Sequence, residues 1–421
     1  MRMGHYGGTS GDVQKDENRP TLAAIKLRTR SRPYAPLRSP EPGCWMIWRN
    51  EALRYKKLRK GPVIFFRDRR STRHCIDVLY ILCVITIHVR LVLLAAALLT
   101  VLATQPAYAN DSYKYFRIGN KEDVQTKPAF GIAMIGGGKD LDEAFRWLCN
   151  KGNGGDFLII RARGSDAYNP YVNELCKANS VATLVIPSRE AADDPKVVEI
   201  IRDAEVVFIA GGDQANYIRW WKGTAVEKAI NNDIAAGKPV GGTSAGLAVE
   251  GEFVYACLKD KPDDADLASK DVLENPYAER VTLERDFVKI PLLENLITDS
   301  HFAKRDRMGR TLGFLARIIN DGWSASPREV AIDERSAVLV EADGKGSVVG
   351  TGKGAYFMRP TGAPQVCEKG SPLTFRGIEV YRVTTGGHFD LKAWSGDGGS
   401  AYTLAVENGK ITSTQAGRGI Y

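Results

Sequence analysis

The sequence predicts an α/β protein built on a doubly wound, mostly parallel sheet. Two observations carry that expectation. From Ala129 onward, short apolar runs alternate with stretches of helical periodicity. The runs are also continuously apolar rather than alternating, as strands must be when helices cover both faces of their sheet. Sites in such folds form beyond the carboxyl ends of the strands, where Gly136–Gly138, Gly211–Gly212 and Gly241–Gly242 stand.

The elements follow in order. "AFGIAMIGGG" is a strand running into a glycine turn, and "DLDEAFRWLCNKG" a helix with its apolar residues on one face. "DFLIIRARG" and "VATLVIP" are strands flanking the helix "PYVNELCKAN". "DPKVVEIIRDA", "EVVFIAGGD", "NYIRWWKGTAVEKAINNDIAAG" and "KPVGGTSAG" continue the alternation. A less regular stretch, "EFVYACLKDKPDDADLASKDVLENPY", reads as a surface insertion. Strand-like "RVTLERDFVKI" and "LITDSHF" precede the helix "RDRMGRTLGFLARIIN". The last hundred residues turn to β, and 359–421 are expected as a β-rich extension packed on an α/β domain of 110–358.

The front of the chain differs in kind. Residues 1–109 hold 19 Lys/Arg against 7 Asp/Glu, whereas the remainder holds 39 against 43. The overall charge of +8 therefore belongs to the N-terminal stretch, and the body has no bulk attraction for nucleic acid. "VRLVLLAAALLTVLATQPAYA" (89–109) has one arginine, an apolar run and an Ala-Tyr-Ala end, the pattern of a secretory signal. Its apolar run is short of the roughly 20 residues of a spanning helix, and Arg90 separates it from the apolar residues before it. No stable membrane span is expected after cleavage, and the mature protein is expected to be exported, periplasmic or extracellular. Residues 1–88 are then expected as a gene-model extension ahead of a GTG start at Val89, or as disorder. Four cysteines lie beyond the signal (Cys149, Cys176, Cys257, Cys367), and their pairing cannot be read from spacing. No C-x-x-C or His-rich spacing points to a metal.

Ser244 in "KPVGGTSAGLAVEG" carries the chemistry. A strand runs into it, a helix is expected after it, and small neighbours permit the cramped turn of a nucleophile elbow. The Ala245 amide would point at a developing oxyanion. The plainer alternative makes Ser244 a helix N-cap. A serine nucleophile needs a base, and the body holds two histidines, His301 and His388. His301 ends a strand run, where sites of this fold assemble; His388 lies in a turn between C-terminal strands. Asp333 and Glu334 of "AIDERS" point to opposite faces, so one of them can orient the imidazole; Asp299 is a third candidate. The Gly136–Gly138 run lacks both phosphate-binding registers and reads as a tight turn.

"AGGDQANY", "GGTSAG", "DSHFAKRDRMGR" and "AIDERSAVLVE", in that order, resemble the cyanophycinase group of the S51 serine peptidases, above all its exported members. The resemblance runs from Ala129 to Phe357 and more loosely to the end. It implies a flavodoxin-like, class I glutamine-amidotransferase-like sheet and a Ser-His-Glu triad without metal or organic cofactor. By position, Ser244 is the nucleophile, His301 the base and Glu334 its orienter, with the Gly212 and Ala245 amides as oxyanion hole. Gln214, Asp299, Arg305, Arg307 and Arg310 would line the substrate pocket. The family's "DQHF" is "DSHF" here, so Ser300 replaces a residue often counted in that pocket.

The implied activity is a serine exopeptidase hydrolysing β-aspartyl-arginine linkages of cyanophycin or its fragments, with arginines clamping a substrate carboxylate. A homodimer is allowed for. The rivals are an α-aspartyl dipeptidase of the same superfamily and a non-catalytic exported binding protein with this fold.

Overall fold

The computed structural model describes residues 80, 84–92, 112–261 and 264–421. The remainder of the expected N-terminal extension, and the expected signal segment beyond residue 92, lie outside the described residues. The chain divides into two compact units, Met1–Gln105 and Pro106–Tyr421. In the first, residues 84–92 are helical and their apolar side chains, Leu91 and Val92 among them, are exposed. Among the described residues no helix is long and apolar enough to cross a membrane.

The second unit is organised by one mixed sheet. After β1 (Lys114–Gly119) come β2 (Gly131–Ile135), β3 (Asp156–Arg161), β4 (Ser180–Val185), β5 (Val206–Ile209) and β6 (Val240–Thr243). The last five are mutually parallel in the order β4-β3-β5-β6-β2. Strands β3 to β6 thus take the flavodoxin-like 2-1-3-4 arrangement, with β2 next in line. β1, not anticipated from its sequence, closes the edge antiparallel to β4.

Alternate residues of these strands feed two cores, which is why the runs are apolar throughout. Ile132, Met134, Leu158 and Ile160 face one side; Ala133, Ile135, Phe157 and Ile159 face the other. Helices α1 (Asp142–Lys151) and α2 (Tyr168–Leu175) cover the second side through Phe145, Leu148 and Val172. The first side is covered by α3 (Arg189–Ala192), α4 (Pro195–Asp203), α5 (Gln214–Trp221) and α6 (Ala225–Ala235), with Ile201, Trp221 and Ile230 buried. The sheet is therefore doubly wound. The stretch read as one helix from 216 to 237 is two, because Gly223 takes φ +74 between α5 and α6.

Cys149 near the end of α1 and Cys176 just after α2 form a disulfide with Cα atoms 5.8 Å apart. Closing a loop of 27 residues is worth about 3.5 kcal/mol through the unfolded chain. The Cys257 and Cys367 thiols are free.

Beyond β6 come β7 (Phe253–Tyr255), α7 (Ser269–Glu274), β8 (Leu283–Arg285), β9 (Leu296–Asp299) and α8 (Met308–Asn320). They are followed by β10 (Arg328–Ile332), β11 (Ser336–Glu341), β12 (Lys345–Gly350) and β13 (Ala355–Pro360). The chain ends with β14 (Phe375–Asp390), β15 (Ser395–Glu407) and β16 (Lys410–Ser413). From β2 the sheet continues β11-β12-β14-β13-β10-β9-β7-β8. Only β9 with β10, and β7 with β9, are parallel in this half.

The C-terminal strands do not lie on the domain as a separate layer. β14 enters the sheet between β12 and β13. Its Phe375, Ile378 and Val380 share a core with Leu312 and Leu315 of α8, so the sheet needs β14 to close over that helix. The strand-like stretch at 280–290 yields only the three residues of β8.

Candidate active site

The site assembles where β2, β5, β6, β9 and β10 end. β6 stops at Thr243, and Ser244 takes φ +55 while its amide donates to the Ile135 carbonyl at 3.1 Å. The small neighbours are sterically required. A Cβ on Gly242 would lie 2.6 Å from the Gly246 carbonyl carbon, and one on Gly246 would lie 2.0 Å from the Ile209 oxygen.

The helix expected behind Ser244 is a single 3₁₀ turn, Leu247–Val249. The chain cannot continue it, because it must reach β7 by Phe253, and at Gly251 it passes so close to β9 that a Cβ would lie 2.7 Å from the Leu296 oxygen. One turn is too short to supply a macrodipole, so any oxyanion stabilisation falls to individual amides. Nor does Ser244 cap it: Gly246 holds the N-cap position without a side-chain hydrogen bond.

The Ser244 hydroxyl instead lies 2.7 Å from Nε2 of His301. His301 follows β9 at φ +48, and its amide donates to the Gly136 carbonyl at 2.8 Å. Its Nδ1 lies 2.7 Å from Oε1 of Glu334, in the turn between β10 and β11. A Glu334 carboxylate can only accept, which places the imidazole proton on Nδ1 and leaves Nε2 to receive the serine proton.

Burial lowers the His301 pKa below its ordinary value, and the Glu334 hydrogen bond only partly offsets it. The hydrogen bond from His301 in turn lowers that of Glu334. At neutral pH the pair is a neutral imidazole beside a carboxylate.

The sequence alternatives sort cleanly. Asp333 is buried and turned away, accepting from the Lys304 amide at 2.8 Å and the Lys353 amide at 3.4 Å. His388 is an exposed residue of β14 beside Asp397. The glycine turn after β2, read only as a tight turn, has a larger part. A Cβ on Gly137 would lie 2.6 Å from the His301 ring, and one on Gly138 would lie 3.2 Å from Glu334 Oε2. Those glycines make the room in which the His-Glu pair sits.

Ser244 opens into a cavity of roughly 510 Å³ that Gly212, Ala245 and Gln214 also line. Neither the Gly212 nor the Ala245 amide donates in a backbone turn bond among the described residues. Gln214 Nε2 donates to the Tyr255 carbonyl at 3.3 Å.

Among the expected pocket residues Asp299 is the exception. Asp299 is buried behind the cavity rather than lining it. It accepts from Arg310 Nε at 2.8 Å and Nη2 at 2.5 Å, and from Arg307 Nη1 at 3.3 Å. Burial alone would raise its pKa, but Arg310 and then Arg307 hold it below the ordinary value. Two nitrogens of Arg310 are thus taken by an internal ion pair, while the residue still borders the cavity. The reason is geometric: β9 delivers Asp299 beneath the first turn of α8, onto which Arg310 projects.

Arg305, Arg307 and Arg310 all line the cavity as expected, and the first two meet Asp266, a residue of the insertion that sequence reasoning passed over. Nothing in "DDADLASK" marks one aspartate among its neighbours.

Residues 135–273 match the family model described as peptidase family S51. The chain is 28% identical over 221 residues to a cyanophycinase of Nostoc sp., covering 51% of this chain and 66% of that protein. It is 27% identical over 236 residues to a cyanophycinase of Synechococcus elongatus, covering 53% and 66%. The chain thus spans just under two thirds of the length of these curated relatives. A crystal structure of a peptidase from an acI-B1 Actinobacterium aligns at 19% identity and a TM-score of 0.42, over 63% of this chain and 98% of that one.

Proposed function

We propose that this chain, an S51 cyanophycinase-like protein, is a serine-type exopeptidase acting on β-aspartyl-arginine chains such as cyanophycin or their fragments. The observation that carries the reading is the unbroken line from Ser244 Oγ through the His301 ring to Glu334, at 2.7 Å for each contact.

In this mechanism Ser244 Oγ attacks the scissile carbonyl while its proton passes to His301 Nε2. The Gly212 and Ala245 amides face the oxygen that becomes negative. Collapse breaks the C–N bond, and the imidazolium returns its proton to the leaving amine. Water, deprotonated by the same nitrogen, then releases the acyl group and restores Ser244. Glu334 keeps the ring in one tautomer and stabilises its charged form. Arg305 and Arg307 stand where a substrate carboxylate can be met; Gln214 lines the same cavity.

We assign the mature protein to an exported compartment, a reading that the Cys149–Cys176 disulfide favours, since such bonds persist in oxidising surroundings.

The test is mass spectrometry of products from purified protein incubated with insoluble cyanophycin and with β-Asp-Arg and α-Asp-Arg dipeptides. Soluble Asp-Arg products are expected. Release of free arginine identifies the β-linkage as the bond cut, and release of β-Asp-Arg identifies the bond between units. Efficient α-Asp-Arg cleavage beside inert polymer would favour the α-aspartyl dipeptidase instead.

The pH profile is a second expected result. A protonated His301 cannot accept the serine proton, so kcat/KM falls as pH drops through its pKa. Burial lowers that pKa, so the half-maximal point of the acid limb is expected below the ordinary histidine value of 6.5. A limb centred above 6.5 would contradict this assignment.

A further inference from the structure

Asp266 lies between β7 and α7 and has no part in the steps above. Its Oδ2 accepts from Arg307 Nη2 at 2.7 Å and from Arg305 Nη1 at 3.1 Å. The rest of the Arg307 guanidinium is already directed inward, with Nη1 donating to the Ser300 carbonyl at 2.8 Å. Arg305 also lies 3.9 Å from Glu334, so this pair of cations adjoins the orienting carboxylate of the serine-histidine line.

Two carboxylates therefore hold these arginines in different ways. Asp299 is buried from the side of the fold and cannot leave. The Asp266 side chain is 49% exposed and stands on the cavity wall. An exposed carboxylate loses little by exchanging a guanidinium for water, because exposed ion pairs contribute little. The two N–H groups, one from each arginine, that converge on Asp266 Oδ2 are available on the same terms to any other carboxylate oxygen.

We propose that Asp266 is a specificity-determining residue: an internal carboxylate that occupies the Arg305–Arg307 pair until a substrate carboxylate displaces it. This rests on the peptidase reading of the cavity. A ligand without a carboxylate leaves Asp266 in place and gains nothing from the pair. A ligand with one exchanges a protein contact for its own, so its affinity is reduced by what Asp266 contributed. The cavity thus rejects uncharged amides without binding acidic products too tightly.

Calorimetric titration of the full-length Ser244→Ala protein with succinate, and with succinamide as the carboxylate-free control, reads this without requiring hydrolysis. Adding Asp266→Asn is expected to tighten succinate binding a few fold, the scale of one exposed ion pair, and to leave succinamide unaffected. Adding Asp266→Glu instead is expected to restore the weaker succinate affinity. With Ser244 intact, Asp266→Asn is expected to lower KM for short oligomers of β-Asp-Arg units far more than it alters kcat.

Unchanged or weaker succinate binding in Asp266→Asn, at an unaltered melting temperature, would overturn the proposal, as would equal tightening of succinamide. Asp266-dependent succinate binding in a protein that hydrolyses none of the peptides would sustain it and sink the peptidase reading alone.

Discussion

Ser244→Ala is expected to abolish hydrolysis, a loss of several orders of magnitude in turnover, while leaving the protein folded and able to bind substrate. The hydroxyl makes its hydrogen bond to His301 Nε2 and caps no helix, so its removal withdraws the attacking atom and leaves no backbone donor unpaired. Alanine also has a Cβ, so it meets the φ of +55 on the same steric terms as serine. Thermal unfolding should therefore shift little. Had Ser244 been a cap, the same change would cost about 1 kcal/mol of stability and leave turnover in place. His301→Ala is expected to match the loss, since members of such a set act as a unit, and the exposed His388→Ala is expected to keep wild-type turnover. Turnover that survives in Ser244→Ala would remove the serine mechanism altogether.

Much of this site was legible because chain direction and sheet topology leave few choices. A doubly wound sheet places the residues after β5, β6 and β9 on one edge, so Gly212, Ser244 and His301 had to converge once the strands were recognised. The opposite faces of Asp333 and Glu334 meant that only one of them could face the ring, with Asp299 as a third candidate; the Lys304 amide takes Asp333 and two arginines take Asp299, which leaves Glu334. What stayed hidden depends on long-range packing. The helix expected after Ser244 satisfied every local signal, but the approach of Gly251 to β9 ends it after one turn. The Gly136–Gly138 turn gave no local hint of the imidazole lying over it. β14 joins the sheet through partners 18 to 45 residues away in sequence (Pro360↔Ile378 to Lys345↔Asp390), beyond the reach of any periodicity argument. Charge was the least legible, since three nearby arginines look alike until the residues beneath them are placed.

Arg310→Ala is where that difference has its largest consequence for stability. In the sequence, Arg307 and Arg310 share a helix face and serve equally well as a substrate clamp. In the fold the Arg310 side chain is 3% exposed and grips the buried Asp299 through two nitrogens. Its guanidinium also sits 5.2 Å from the centroid of the Tyr255 ring. Truncating it leaves a buried carboxylate without its main partner, for which a loss of about 3–5 kcal/mol is expected in urea unfolding. Arg305→Ala, from a side chain 42% exposed, is expected to cost no more than about 1 kcal/mol. The double change Arg310→Met with Asp299→Asn, which removes both charges together, should recover part of the stability lost in Arg310→Ala, because the penalty belongs to the unpaired charge rather than to the missing pair. The opposite pattern, with Arg310→Ala stable but unable to bind carboxylate ligands, would return Arg310 to the substrate and leave Asp299 partnered by Arg307 alone.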